Sequence, residues 1–382
     1  IYGMGVIVGP TLGPPLGGYL VDHFSWPYIF YINIPLGIAA TFLTLTYVKS
    51  PKYGVKLKAN QVDWWGIVFL ASFIGSLQFV LEHGQQDDWF NDHLIVILSV
   101  VSVVGLLLFI WRELTYEHPI VNLSVLKDGN LRIGIVMCFI LGFGLYGSTL
   151  VIPIYTQQIL GWSATDAGLL LIPGSITTAF MMPIVGNLIQ KGVPQGYMVG
   201  VGFLVFFFFT FWMYTVMTPD TSVDNMYWAL ILRGIGLGLL FVPITTLSLS
   251  TLKGKSIGEG AAFTGMIRQL GGSFGIAIIT TGITRFTQQH RVNLVSHLDT
   301  SKLEVQQRVQ QLQQGFMSKG FTANEALGKA YQALDYTVMK QATVLSYMDI
   351  FLYLGIMFLC CIPVILFIKR GKTKVNPADA MH

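Results

Sequence analysis

The chain falls into ten apolar runs of membrane-spanning length, separated mostly by short polar connections: 1–21, 27–47, 63–83, 93–112, 132–158, 166–190, 196–216, 226–250, 260–285 and 347–369. Crossing a hydrocarbon core about 30 Å thick takes about 20 residues of helix. In that solvent every backbone amide must be paired internally, so the expected fold class is an all-α membrane protein, a polytopic helical bundle. Only 11% of the 382 residues are charged and 53% are hydrophobic, too little charge to coat a soluble protein of this size. The formal net charge of +4 says little by itself, and no nucleic acid is expected as a partner.

The placement of charge tests the ten-span reading, because Lys and Arg are retained on the cytoplasmic side in short loops. One alternating set of connections carries Lys49, Lys52, Lys56, Lys58, Arg112, Lys127, Arg132, Lys191, Lys253, Lys255 and the tail Lys369, Arg370, Lys372, Lys374. The opposite short loops carry none of these and hold Asp22, Glu82, Asp87, Asp88, Asp92, Asp166, Asp220 and Asp224 instead. Both Ile1 and His382 are thereby expected on the cytoplasmic side. The chain starts inside an apolar run without Met or a signal peptide, which reads as a fragment lacking upstream helices. Cys138, Cys360 and Cys361 sit in apolar runs, and no disulfide framework or metal site is expected.

The connection 286–346 is too long for the charge rule. Thr322 to Glu325 fits a capping box, and Leu327, Ala330, Tyr331, Leu334 and Val338 recur at helical spacing, which predicts two short amphipathic helices. A packed connector, a lid and a docking surface for an outer partner protein are the readings it leaves open.

Within the first run, "GPTLGPPLGG" places Gly9, Gly13 and Gly17 on one helix stripe and Pro10 and Pro14 on the adjacent one. Small residues let helix backbones approach closely where lipid supplies no hydrophobic drive. Prolines bend the helix and free carbonyls for neighbours to satisfy. Gly9, Gly13, Pro14, Gly17 and Gly18 resemble the antiporter signature on the fifth helix of major facilitator superfamily drug exporters. "WPYIFYINIPLG", "VDWWG", "LGWSATDAGLLLIPG", "LRGIGLGLLFVP" and "RQLGGSFGIA" are similar to further signatures of the fourteen-helix, EmrB/QacA-like branch. Pro27 departs from the pattern, which has Arg after the Trp.

The resemblance implies proton-coupled efflux of drugs or other lipophilic compounds by alternating access across a bacterial cytoplasmic membrane, with small lipophilic substrates, protons and the bilayer as partners. It also implies an incomplete N-terminal half: residues 1–58 would be the last two helices of the first six-helix bundle plus a linker, 59–131 two additional central helices, and 132–382 the second six-helix bundle. An outer adaptor (membrane-fusion) protein on 286–346 fits the same reading. Gly271, Gly272 and Gly275 echo the first glycine stripe where repeated halves would require it, and "GNLIQKG" (186–192) resembles a worn copy of the loop signature after the superfamily's second helix. A solute importer of the same fold and, in another class, a channel or scaffold are the alternatives.

Ionisable groups inside a span default to functional candidates. Arg233 and Arg268 are such groups, and Gln269 neighbours the second of them. Asn33, Tyr146, Tyr155, Gln157 and Gln158 are candidates for lining a cavity, and "FFFF" (206–209) reads as lipid-facing. No Asp or Glu lies mid-span, so the coupling carboxylate is expected upstream of residue 1. Enzyme motifs are negative: "GKS" at 254–256 lacks the first glycine of a phosphate loop, "GIGLG" at 234–238 follows no strand, and His290 and His297 lack ligand spacing. No catalytic residue, cofactor or metal is expected.

Overall fold

The computed structural model describes residues 2–47, 63–116, 123–299 and 301–367, with the helical path alone given for 2–12, 255 and 365–367. The linker lysines, Lys49 to Lys58, and the basic tail from Lys369 lie outside the described residues. The chain is helical throughout this range: α1 (Tyr2–His23), α2 (Tyr28–Tyr31), α3 (Asn33–Tyr47), α4 (Trp64–His83), α5 (His93–Thr115), α6 (Gly129–Gln158), α7 (Ala164–Leu170), α8 (Ile172–Gln190), α9 (Gln195–Val216), α10 (Val223–Leu249), α11 (Lys255–Ser296), α12 (Leu303–Met317) and α13 (Ala323–Cys360). Among the described residues nine helical segments are long and apolar enough to cross a membrane, α2–α3 and α7–α8 each forming one. The tenth expected crossing falls on the 22-residue α1.

Aspartates set several helix starts. Asp63, from "VDWWG", accepts the Gly66 N–H at 3.1 Å and the Arg112 Nε–H at 3.0 Å, so one buried carboxylate caps α4 and ties it to α5. Asp92 accepts from Leu94 and Ile95 at the head of α5. Asp128 caps α6 through Leu131 and accepts the Thr251 hydroxyl at 2.7 Å, joining α6 to the end of α10.

The core is drawn from α6 to α11 and α13, with Tyr155, Phe203, Phe206, Phe209, Tyr347, Phe351 and Phe358 fully buried. A run of four residues wraps a helix at about 100° per residue. The "FFFF" of α9 accordingly does not all face lipid: Phe206 and Phe209 are core residues, Phe206 stacking on Phe358 at 4.1 Å, and Phe208 is exposed. The α4–α5 hairpin meets this core through α11, where the Ser273 hydroxyl donates to Gln78 Oε1 at 2.6 Å and Gln78 donates to Glu82 at 2.5 Å. α1 packs on α7 and α8, and no side chain of α3 is buried.

The connection 286–346 departs from the expected pair of short helices. α11 is 42 residues long and α13 38, and at 1.5 Å per residue each is about 60 Å, twice the hydrocarbon thickness. Both membrane helices run on past the bilayer, and α12 alone is separate. No proline occurs between Pro243 and Pro363, so nothing covalent ends these helices at the membrane surface. The capping box forms as expected, with Thr322 and Glu325 exchanging hydrogen bonds at the start of α13.

Hydrogen bonds between distant helix ends agree with the charge-derived topology. Asp63–Arg112, Asp128–Thr251 and Asn130–Ser250 join ends assigned to the cytoplasmic side. Asp22–Thr165, Tyr155–Thr221, Gln158–Tyr347 and Thr287–Ser346 join ends assigned to the outer side.

Candidate functional site

Several helix pairs bring their backbones into direct contact, α8 and α10 at Gly174 and Gly234 among them, and two of these seams are flanked by the glycine stripes singled out in the sequence. The first lies between α1 and α7. A Cβ on Gly18 would collide with the Ala164 carbonyl, and one on Gly168 with the backbone of Pro14 and Pro15. One turn further, Asp22 Oδ2 accepts the Thr165 N–H at 2.7 Å and its hydroxyl at 2.6 Å. The contact stripe is therefore Pro14–Gly18–Asp22, four residues apart at each step. Gly13 and Gly17 lie on the neighbouring stripe, where an added Cβ meets nothing within 4 Å. The surroundings of Gly9 fall outside the described residues.

The second seam lies between α6 and α11. Gly142 faces the Arg268 carbonyl, Gly271 the Phe139 carbonyl, Gly275 the Phe143 backbone, Gly272 the Tyr146 ring and Gly147 the Ile279 side chain. On α6 these positions are 139, 142, 143, 146 and 147, a repeating three-and-four spacing that keeps one face against the partner over two turns. The opposite face of α11 carries Ser273 toward α4, so α11 is held between the core and the α4–α5 hairpin.

The candidate polar residues gather mainly around this second seam. Arg233 of α10 is 3% exposed. Its Nε donates to Ser148 Oγ at 2.9 Å, and its Nη2 donates to the Leu145 carbonyl at 3.3 Å and to the Thr149 hydroxyl, all on α6. The Ser148 and Thr149 hydroxyls in turn donate to carbonyls of their own helix. The Arg268 guanidinium lies 4.7 Å from the centre of the Phe241 ring, a cation–π contact. Gln269 accepts from the Tyr146 hydroxyl at 3.0 Å, joining α6 and α11 beside the glycines.

Four candidates stand apart. Tyr155 is fully buried and donates to the Thr218 carbonyl at 2.5 Å and to Thr221 Oγ1 at 2.9 Å, so its place is the core and the outer loop after α9 rather than an open cavity. Gln157 and Asn33 are exposed and bond only to carbonyls one turn back, of Pro153 and Ile29. Gln158 accepts from the Tyr347 hydroxyl.

Sequence reasoning passed over Thr165, Gln78, Ser273 and the pair His290–Asp349, whose Nε2 and Oδ2 lie 2.7 Å apart between α11 and α13. His290, which lacks ligand spacing in the sequence, bonds a carboxylate on another helix. The acids Asp22 and Glu82 were legible near span ends. Their partners were not, because all but Gln78 are distant in sequence.

This arrangement of a glycine–proline helix on α7, with a second glycine seam inside the core, can be set against known proteins. The profile of the Major Facilitator Superfamily matches residues 1–276. The chain belongs to the Major Facilitator Superfamily. Its members similar to this chain include the fatty acid resistance protein FarB of Neisseria gonorrhoeae, 31% identical across 96% of this chain and 70% of that protein. The multidrug export protein EmrB of Escherichia coli is 31% identical across 97% of this chain and 70% of its own length. The colistin resistance protein EmrB of Acinetobacter baumannii is 28% identical across 97% and 72%. Membership makes the chain a multi-pass membrane transporter of this superfamily and not an enzyme.

Proposed function

We propose that this transporter exports lipophilic compounds in exchange for protons across a bacterial cytoplasmic membrane, by alternating access. Residues 1–58 belong to one moving half, 132–382 form the other, and 59–131 supply two accessory helices. The observation that carries the reading is the α1–α7 seam. At Pro14 and Gly18 the two halves meet backbone to backbone, and at Asp22 through a single carboxylate, a contact built to close tightly and to part as a unit. The relatives named for fatty acid resistance and multidrug export support a lipophilic cargo. In this reading Arg233, Arg268 and Gln269, which bridge helices of one half, keep that half rigid as it rocks. The prolonged α11 and α13 with α12 offer a surface beyond the bilayer for an outer adaptor protein.

The test is exchange in vesicles holding the purified full-length transporter. An imposed proton gradient should drive saturable movement of a lipophilic cation or a long-chain fatty acid against its own gradient, with protons moving the opposite way. Co-transport of a hydrophilic solute with protons would make the protein an importer. Absence of saturable counterflow for every cargo would leave a channel or scaffold.

A further inference from the structure

Asp22 is not needed to begin α7. Ser163 already caps that helix, its Oγ accepting the Asp166 N–H at 3.0 Å. The Asp22 carboxylate instead reaches across 143 positions of sequence to take both donors of Thr165. It sits on the stripe whose other members, Pro14 and Gly18, touch the α7 backbone. A carboxylate bonded to an N–H and a hydroxyl in one residue is a charge-assisted contact with tight geometry. α1 cannot slide or tilt away from α7 without breaking both bonds, and the flanking glycines leave no flexible side chain to absorb such a shift. By the charge-derived topology this pair is at the outer end of both helices.

We infer that Asp22 and Thr165 form the latch of the outer gate, positioning residues that hold the two halves together only while the site is closed to the outside. The inference rests on the alternating-access reading, in which the α1–α7 seam opens once per cycle. The latch selects a conformation and touches no cargo.

The decisive experiment uses the full-length protein with Cys138, Cys360 and Cys361 replaced by alanine. The double variant Asp22→Cys, Thr165→Cys should form a disulfide on oxidation, lose exchange, and recover it on reduction. In single variants, Asp22→Ala should raise labelling of an Ala164→Cys reporter by a membrane-impermeant maleimide about tenfold, as expected for loss of hydrogen bonds to a charged group. Thr165→Val should give a smaller rise, and Thr165→Ser, which keeps both donors, none. A cross-linked protein that still exchanges at the reduced rate overturns the latch, as does failure to cross-link. Unchanged labelling in Asp22→Ala with lowered thermal stability overturns it too, since that marks a static tie. If the unmodified protein exchanges no cargo, the transport reading fails, while cross-linking and labelling still decide whether the pair holds the seam.

Discussion

The α1–α7 seam and the α6–α11 seam use the same device for different ends. Both remove side chains so that backbones touch, yet the α6–α11 contact continues over two turns, is reinforced by the Tyr146–Gln269 bond and lies inside one core. The α1–α7 contact is short, and beyond Gly18 it passes to hydrogen bonds that Thr165 donates to an aspartate. A long apolar seam has no partial state, because losing any part of it leaves voids in close-packed surroundings. A short seam ending in two hydrogen bonds can exchange them for water at the membrane surface. The difference separates a contact that holds a domain together from one that can open.

Substitution at Gly271 should have the largest effect. A Cβ there strikes the Phe139 carbonyl, which belongs to a helix backbone and cannot rotate aside. Gly271→Ala should cost about 1–3 kcal/mol by overpacking, and Gly271→Leu should prevent assembly. Yield and thermal unfolding in detergent measure both. A fully folded Gly271→Leu would erase the distinction between the seams.

At Gly18 the collision is equally direct, with the Ala164 carbonyl, but the seam has somewhere to go. Gly18→Ala should leave the unfolding midpoint close to that of the parent and shift the protein toward the outward-open conformation, cutting exchange at least about tenfold. Loss of stability comparable to that of Gly271→Ala would show that the two contacts are of one kind.

Arg233 sharpens the picture of the rigid seam. It fastens α10 to the same turns of α6 that face α11, at a site where charge is costly. Arg233→Met should change stability by less than about 1.5 kcal/mol, because Ser148 and Thr149 keep their carbonyl acceptors and no buried partner is stranded. Replacing Ser148 and Thr149 together by alanine should cost more, about 3–5 kcal/mol, because it removes two of the three acceptors of a buried cation and leaves only the Leu145 carbonyl. Thermal unfolding of the two variants side by side decides the order.

The sequence made the spans, the all-helical class and the capping box at Thr322 legible, since each depends on residues within one helix. The register of the first seam was not. The stripes Gly9–Gly13–Gly17 and Pro14–Gly18–Asp22 are adjacent on one helix, both begin with small or kinking residues, and only the position of α7 decides which is covered. The Asp22–Thr165 bond has no local signature for the same reason. The reach of α11 past the membrane was hidden differently: a change from apolar to polar residues marks the edge of the bilayer, whereas a helix stops only at a residue or tertiary contact that breaks it. Tyr155 looked like a cavity residue because polarity in a span suggests water, yet its hydroxyl is satisfied by Thr218 and Thr221.

The smallest effect is expected at Gly13, and it bears on how far the first seam extends. With nothing within 4 Å of an added Cβ, Gly13→Ala should gain slightly in helix propensity and keep exchange within about twofold of the parent. The glycine stripe by itself would have Gly13→Leu abolish exchange; the open space around that position makes this conditional on another conformation bringing the stripe against a neighbour. Comparing the two variants isolates that possibility. Alanine tolerated and leucine inactive, with insertion intact, would mean that the 9–13–17 stripe closes at another stage of the cycle, so that α1 uses adjacent faces in turn. Both tolerated would confine the working contact to Pro14, Gly18 and Asp22.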